Sequence, residues 1–468
     1  MVSLQVNNIK IMAQKSISLT LIFLLGTAFF ALTQAQQSPT IFNIKNYGAR
    51  GDGKTINTIA LNKAVEACAD AGGGTVVIPA GIYLSGTVRM KSHVTLLLEK
   101  GAVIKGVADL SQYEPYIPNR ERGRNNNWNR ALILGVGVTN VTITGSGVID
   151  GDHVFDPQGE EKMRGPHTIL FAESRNLSFS GITVVNAANY AFMAYEIENV
   201  VYSNLTINQG WDGIHIRGGK RITIRNSTFH TGDDAIAGGY WEDMMITDCQ
   251  INSSCNGIRM IMPADGLTIS HCTFAGPGRY PHRTSKEKQR TNMLSAILLQ
   301  PGGWGRAPGI VDRVHIHDIS ISNVNNPLMI VLNEGNNAGK ITVERMKAVQ
   351  VNAFTSSVES WKGGVFDELT FRDVSIEYAG HPDASASDAS LGQPPVDARN
   401  LPCWGWFVRN VKNISFENVD LRYTETDPRP AFYFDNVAAI KLNGVKYPGS
   451  DDRQAIVLKN SGSLIIEN

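Results

Sequence analysis

The sequence predicts an all-β solenoid, a parallel β-helix with one helix covering its N-terminal end. Three observations predict it. A short apolar-alternating segment recurs along most of the chain, with successive starts at Leu177, Val200, Ile222, Met244 and Leu267 spaced by 23, 22, 22 and 23 residues. Glycine is abundant, at 45 of 468 residues, as expected of a chain that turns often. One segment near the N-terminus has helical spacing instead, and it ends at Gly72-Gly73-Gly74.

Taken in chain order, the N-terminus reads as a secretory leader. Lys10 and Lys15 precede an uncharged apolar run over 19–32, and the small residues Thr33 and Ala35 stand before Gln36. Residues 1–35 are therefore expected to be a signal peptide and 36–468 a single domain, secreted or periplasmic. The apolar run is short for a membrane span, so no membrane association is expected after cleavage. Residues 56–71 place Ile56, Ile59, Leu61, Ala64, Val65 and Cys68 at helical spacing, the predicted cap of an otherwise open strand edge.

From residue 140 onward the repeat takes over, as in 141–148, 177–184, 200–207, 222–229, 244–251 and 267–274. Alternation of period two excludes helical repeats. Leucine-rich repeats share the length but need a Leu-rich consensus, which is absent. Short strands stacked coil on coil, about 4.8 Å apart, fit the pattern. The stretch 380–400, rich in Pro, Ala, Ser, Asp and Gly, reads as a long surface loop within the solenoid.

Lys plus Arg and Asp plus Glu are both 43, which argues against a nucleic-acid binder. The five cysteines (Cys68, Cys249, Cys255, Cys272, Cys403) are odd in number and lack metal-ligand spacing. Neither a disulfide framework nor a zinc site is expected, and small buried packing roles fit better. A monomer is expected.

A solenoid lets stacked positions be counted. Twelve residues beyond the repeat starts lie Asn189, Asp212, Asp234, Asn256 and Arg279. Three further on, His215 and Arg259 share a phase, and Asp233 adjoins Asp234. Carboxylates on neighbouring coils, about 5 Å apart, raise one another's pKa. One then stays protonated as a general acid while another serves as base, the pair that glycosidic cleavage needs. A single Asp at a coil corner is more simply a turn residue. Three in two adjacent coils, flanked in phase by Asn and Arg, point to catalysis by Asp212, Asp233 and Asp234, with no metal or cofactor. Trp211, Tyr240 and Trp241 lie beside the acids and serve equally as sugar platform or as core.

Several motifs resemble the polygalacturonase-like enzymes of glycoside hydrolase family 28 and the wider pectin-enzyme superfamily. These are Asn46-Tyr47-Gly48-Ala49 with Gly51-Asp52-Gly53, Gly72-Gly73-Gly74-Thr75-Val76-Val77-Ile78-Pro79, Gly210-Trp211-Asp212-Gly213-Ile214 and Gly232-Asp233-Asp234-Ala235-Ile236. The resemblance implies a right-handed parallel β-helix that hydrolyses a uronate-containing polysaccharide or oligosaccharide with inversion. It implies Asp233 as general acid and Asp212 and Asp234 as activators of water. Two motifs depart from the family. Its Gly-His-Gly is Cys255-Asn256-Gly257 here, and its Arg-Ile-Lys is Arg290-Thr291-Asn292. Asn256 donates a hydrogen bond but carries no proton charge, which makes a branched or mixed pectic chain more plausible than simple polygalacturonan.

The basic segment 276–292 holds Arg279, His282, Arg283, Lys286, Lys288 and Arg290 against Glu287 and is expected to rim the groove. The expected substrate-binding residues are thus Asn189, His215, Asn256, Arg259, Arg279 and Arg290, with arginine forks holding uronate carboxylates. Two rivals stand: a β-helix lyase using Ca²⁺ and a Lys or Arg base, and a non-catalytic carbohydrate-binding solenoid.

Overall fold

The computed structural model describes residues 40–116, 129–284, 288–385, 391–448 and 455–467. The expected leader lies outside these residues. The region Ile41–Asn468 forms one compact unit.

It is all-β, and every registered strand pair is parallel. Three ladders run along it. The first stacks Ala131–Val136, His167–Ala172 and the leading parts of Phe192–Ser203, Ile214–Arg225 and Ile236–Thr247, then Asn256–Met260 and Met293–Leu299. The second uses the trailing parts of those long strands, reached through Val94–Leu98, Thr139–Gly145 and Arg175–Ser180. The third stacks Val148–Asp150, Thr183–Val185, Thr206–Asn208, Thr228–Thr231, Gln250–Ser253 and Thr273–Ala275.

Alternation explains the ladders. Val94–Leu98 and Ala102–Gly106 bury every second side chain, as a strand with one core face must. Core positions then stack on themselves: Ile214, Ile236, Ile258 and Ile297 are in register, and all are fully buried. Phe179 and Tyr202 stack at 4.9 Å. The turn between the first and second ladders is held by amide ladders. Asn176 donates to Asn140 at 2.9 Å and Asn199 to Asn176 at 3.0 Å. All three have φ near +55°, a conformation that Asn tolerates.

The α-helix Thr58–Asp70 buries Leu61, Ala64, Val65 and Cys68 and packs against the strands Ile41–Asn43 and Gly74–Ile78. It ends where the Gly73 N–H returns to the Cys68 carbonyl at 2.9 Å. Gly73 has φ +114°, and a Cβ there would sit 2.6 Å from the His93 carbonyl oxygen, so only glycine fits. All five cysteines are buried free thiols. No helix among the described residues is long and apolar enough to cross a membrane.

One corner of the coil positions the site. Between the third ladder and the next strand of the first, the chain turns through 209–213, 232–235 and 254–255, which carry Asp212, Asp233 and Asp234, and Cys255. Three long insertions, 151–166, 276–292 and 379–405, leave at this same corner on other coils. The insertions wall the acids in without disturbing the ladders.

Candidate active site

A cavity of about 680 Å³ opens at this corner. The coils contribute Tyr190, Asp212, His215, Arg217, Asp233, Asp234, Cys255 and Arg259. The insertion 151–166 adds Glu160, Glu161 and Arg164, 276–292 adds His282, Thr284 and Arg290, and 379–405 adds Val396 and Asp397. Trp304, from the short loop after Met293–Leu299, completes it and is 65% exposed.

Asp212 and Asp234 occupy one column. Each precedes by two residues a pair of registered isoleucines, Ile214 and Ile236. Asn256 follows one coil later, and Ser295 pairs with it in turn. Asn189 leaves this column. The Ala191 N–H bonds to the Asp212 carbonyl at 2.9 Å, so Tyr190 aligns with Asp212 and Asn189 falls one place short. The turn before Phe192–Ser203 holds one extra residue, which a count of twelve cannot see. Asn189 is fully buried and does not line the cavity. Arg279 also leaves the column, because the insertion 276–292 comes before the next first-ladder strand. It is exposed, lies over the Tyr280 ring and does not line the cavity. The structure thus does not bring these two expected substrate-binding residues to the cavity.

His215, Asn256, Arg259 and Arg290 do converge. His215 lies 2.7 Å from Asp212 Oδ2 through Nδ1 and accepts from Arg217 Nε at 3.2 Å through Nε2. The second contact leaves the proton on Nδ1, directed at Asp212. Tyr190 stacks on the ring at 4.8 Å. Asn256 donates to Asp234 Oδ1 from its backbone N–H at 3.0 Å and from Nδ2 at 2.8 Å. Arg259 sits 3.6 Å from Asp234 Oδ2, donates to the Val396 carbonyl at 2.8 Å and lies over Trp304 at 5.2 Å. Arg290 reaches Cys255 Sγ at 3.3 Å.

Two contacts on Asp233 escaped the sequence reading. Arg164 lies 3.3 Å from its Oδ2, and His282 Nε2 lies 3.5 Å from the same oxygen. Arg164 is buried, paired with Glu161 and laid over Trp211 at 4.8 Å. No repeat phase marks it, since it lies in an insertion. Trp211 is buried between Arg164 and Arg283, and Trp241 is buried with Nε1 bonded to the Ile216 carbonyl. Tyr240 does not line the cavity. Of Tyr190 and Trp304, which line the cavity, Trp304 is the exposed one.

The acids differ in charge. Burial, then the neighbouring Asp233 and Asp234, push the Asp212 carboxyl well above its ordinary value. Burial also raises Asp234, with Arg259 opposing and Asp233 adding to the rise. Burial works upward on Asp233 too, but the bond from His282 and the Arg164 guanidinium overcome it and hold this carboxylate well below its ordinary range. Burial, then Arg217, keeps His215 neutral. Burial and the neighbouring carboxylates thus favour the protonated form of Asp212, whereas His282 and Arg164 favour the ionised form of Asp233. The arrangement can donate a proton, activate a water and bind an anion.

Residues 41–259 match a family model described as rhamnogalacturonase A/epimerase, pectate lyase-like. A polygalacturonase of Nicotiana tabacum is 23% identical over 77% of this chain and 91% of its own length. The exopolygalacturonase structure from Thermotoga maritima superposes with a TM-score of 0.61 at 19% identity, covering 82% of this chain and 93% of that one. The family 28 exopolygalacturonase structure of Yersinia enterocolitica gives 0.58 at 16%, covering 91% and 78%. The chain thus shares the fold of these enzymes, and its residues 41–259 carry the likeness to the pectate lyase-like family model. By its sequence likeness to polygalacturonases it is a glycoside hydrolase.

Proposed function

We propose that this chain is a secreted enzyme that hydrolyses glycosidic bonds of a pectic, uronate-containing glycan with inversion, using Asp233 as acid and Asp212 and Asp234 to activate water. One observation carries the reading: three carboxyls meet four arginines, Arg164, Arg217, Arg259 and Arg290, in one cavity. Hydrolysis needs the carboxyls. Guanidinium forks in the cavity suit a substrate that brings carboxylates of its own. The fold that accompanies this reading is a right-handed parallel β-helix capped by Thr58–Asp70. The usual hand of parallel crossovers supports the first part, and the helix contacts at the first coils support the second.

Asp233 must gain a proton before it can act as acid. A substrate carboxylate drawn to Arg164 weakens that arginine's hold on Asp233 and adds negative charge beside it. Both effects raise the Asp233 pKa, and the proton on Asp212 is the nearest supply. Asp212 is then ionised and ready to take a proton from water. The apolar and polar lining around the cavity keeps these charges strongly coupled.

The segment 391–400 supports action near a chain end. It is strapped across one side of the cavity by four anchors. Arg399 forms a fork on the buried Glu359 at 2.9 and 2.8 Å, Gln300 bonds to the Pro395 carbonyl at 2.8 Å, Arg259 holds Val396, and Gln393 bonds to Asn333.

The test is a screen of defined pectic oligosaccharides with product anomers followed by NMR. An inverted product from wild type, lost in Asp233→Asn, is expected. An unsaturated product that vanishes with chelator would make this a lyase. Binding without cleavage would make it a carbohydrate-binding solenoid.

A further inference from the structure

Asp233 is held by three donors from three separate parts of the chain. Its Oδ1 accepts from the Asp234 N–H at 3.1 Å. Its Oδ2 faces Arg164 from one insertion and His282 from another. The column residue on the next coil, Asn256, directs its backbone N–H and its Nδ2 at Asp234, and Nδ2 also reaches Cys255 Sγ at 3.4 Å. The side chains that face Asp233 Oδ2, Arg164 and His282, come from the insertions.

His282 differs from the rest of its loop. Arg279 and Lys288 are exposed, whereas His282 is 9% exposed. The Thr284 N–H points at its Nδ1 at 3.3 Å, so Nδ1 is the acceptor and the ring proton lies on Nε2, facing Asp233. The backbone on either side is tied down. His282 N–H bonds to the Arg290 carbonyl at 3.0 Å across the loop neck, and Arg279 N–H bonds to Asn252 at 2.7 Å. Arg283 bonds to His153 at 3.0 Å and covers Trp211 at 4.7 Å. Such bracing on both sides fits a placed side chain and not a solvated loop.

A neutral imidazole has one ring N–H. With Nδ1 accepting from Thr284, that proton lies on Nε2 and is directed at Asp233 Oδ2, which accepts whether the carboxyl is ionised or protonated on its other oxygen.

We propose that His282, delivered by the 276–292 insertion, is the positioning residue that holds Asp233 in both its protonated and its ionised state. The inference rests on the hydrolase reading above for its kinetic test but not for its spectroscopic one. His282→Ala should lower kcat by about 100-fold, the scale of a misplaced catalytic group, with KM within about 3-fold. His282→Gln, whose amide is likewise a neutral N–H donor, should recover kcat to within about 10-fold of wild type. His282→Lys, a cationic donor that holds Asp233 ionised, should not recover it. Loss through KM alone, equal loss in all three variants, or unchanged kcat in His282→Ala would overturn the proposal. Independently of activity, ¹⁵N shifts of the His282 ring in the full-length protein, assigned by their absence from His282→Gln, should place the proton on Nε2. A proton on Nδ1 would overturn it. If wild type cleaves no pectic glycan, the functional reading fails while the tautomer result still decides the geometry.

Discussion

Asp212→Asn should inactivate the enzyme and stabilise its fold. The substitution is isosteric. The His215 Nδ1–H that now meets Asp212 at 2.7 Å can donate to the amide oxygen equally well, so the change removes a charge and little else. Asp212 is 4% exposed and stacks one coil from Asp234. At about 4.8 Å coil spacing and an effective dielectric near 20, two like charges repel by about 3.5 kcal/mol. The folded protein avoids most of this by keeping Asp212 protonated, at a cost that grows with pH. The folded carboxyl binds its proton more tightly than the unfolded one. Stability is therefore lost as pH rises above the ordinary value of 3.8 toward the raised folded value, and stays lower beyond it. Asn at this position escapes that loss. Urea unfolding should show Asp212→Asn more stable than wild type by about 1–3 kcal/mol at about pH 8, with the gap closing toward about pH 4. Activity should fall by about 10²–10⁴. A variant that is less stable than wild type at the higher pH, or equally stabilised at both, would refute the electrostatic account.

Arg259→Met should cost about 2–4 kcal/mol, because it leaves Asp234 buried without its cation and releases Val396. In an Asp234→Asn background the cost should shrink by at least about 1 kcal/mol in a double-mutant cycle. Gly232→Ala should destabilise by about 1–3 kcal/mol and lower kcat, since a Cβ there would meet the Gly210 carbonyl at 2.4 Å and the Pro281 carbonyl, next to His282, at 3.1 Å. Trp304→Ala should leave stability within about 0.5 kcal/mol yet raise KM, as expected of an exposed ring at the cavity mouth. Arg399→Ala, which frees the strap from Glu359, should raise the ratio of viscosity loss to reducing ends released from a pectic polymer. An unchanged ratio would remove the strap from the account of chain-end action.

The reach of repeat counting can be judged residue by residue. Asp212, Asp234, Asn256, His215 and Arg259 were legible because the coils from Val200 to Arg259 repeat at 22 residues, so sequence phase equals spatial column. Asn189 and Arg279 failed for one reason at two scales. A single extra residue displaced the first, and a whole insertion displaced the second. Arg164, His282, Asp397 and Trp304 had no phase to read, because they sit on loops whose paths are set by contacts far away in sequence.

By itself the sequence determined the parallel stacking and the trio of carboxylates. Both are written locally, in period-two alternation, a coil length near 22 residues and the paired-Asp turn. The tertiary structure alone decided how the three acids differ from one another. That depends on burial and on the Arg164 guanidinium and His282 imidazole, which two separate insertions bring to Asp233 from 69 and 49 residues away in sequence. Electrostatic coupling of this kind follows distance in space, and no repeat period records it.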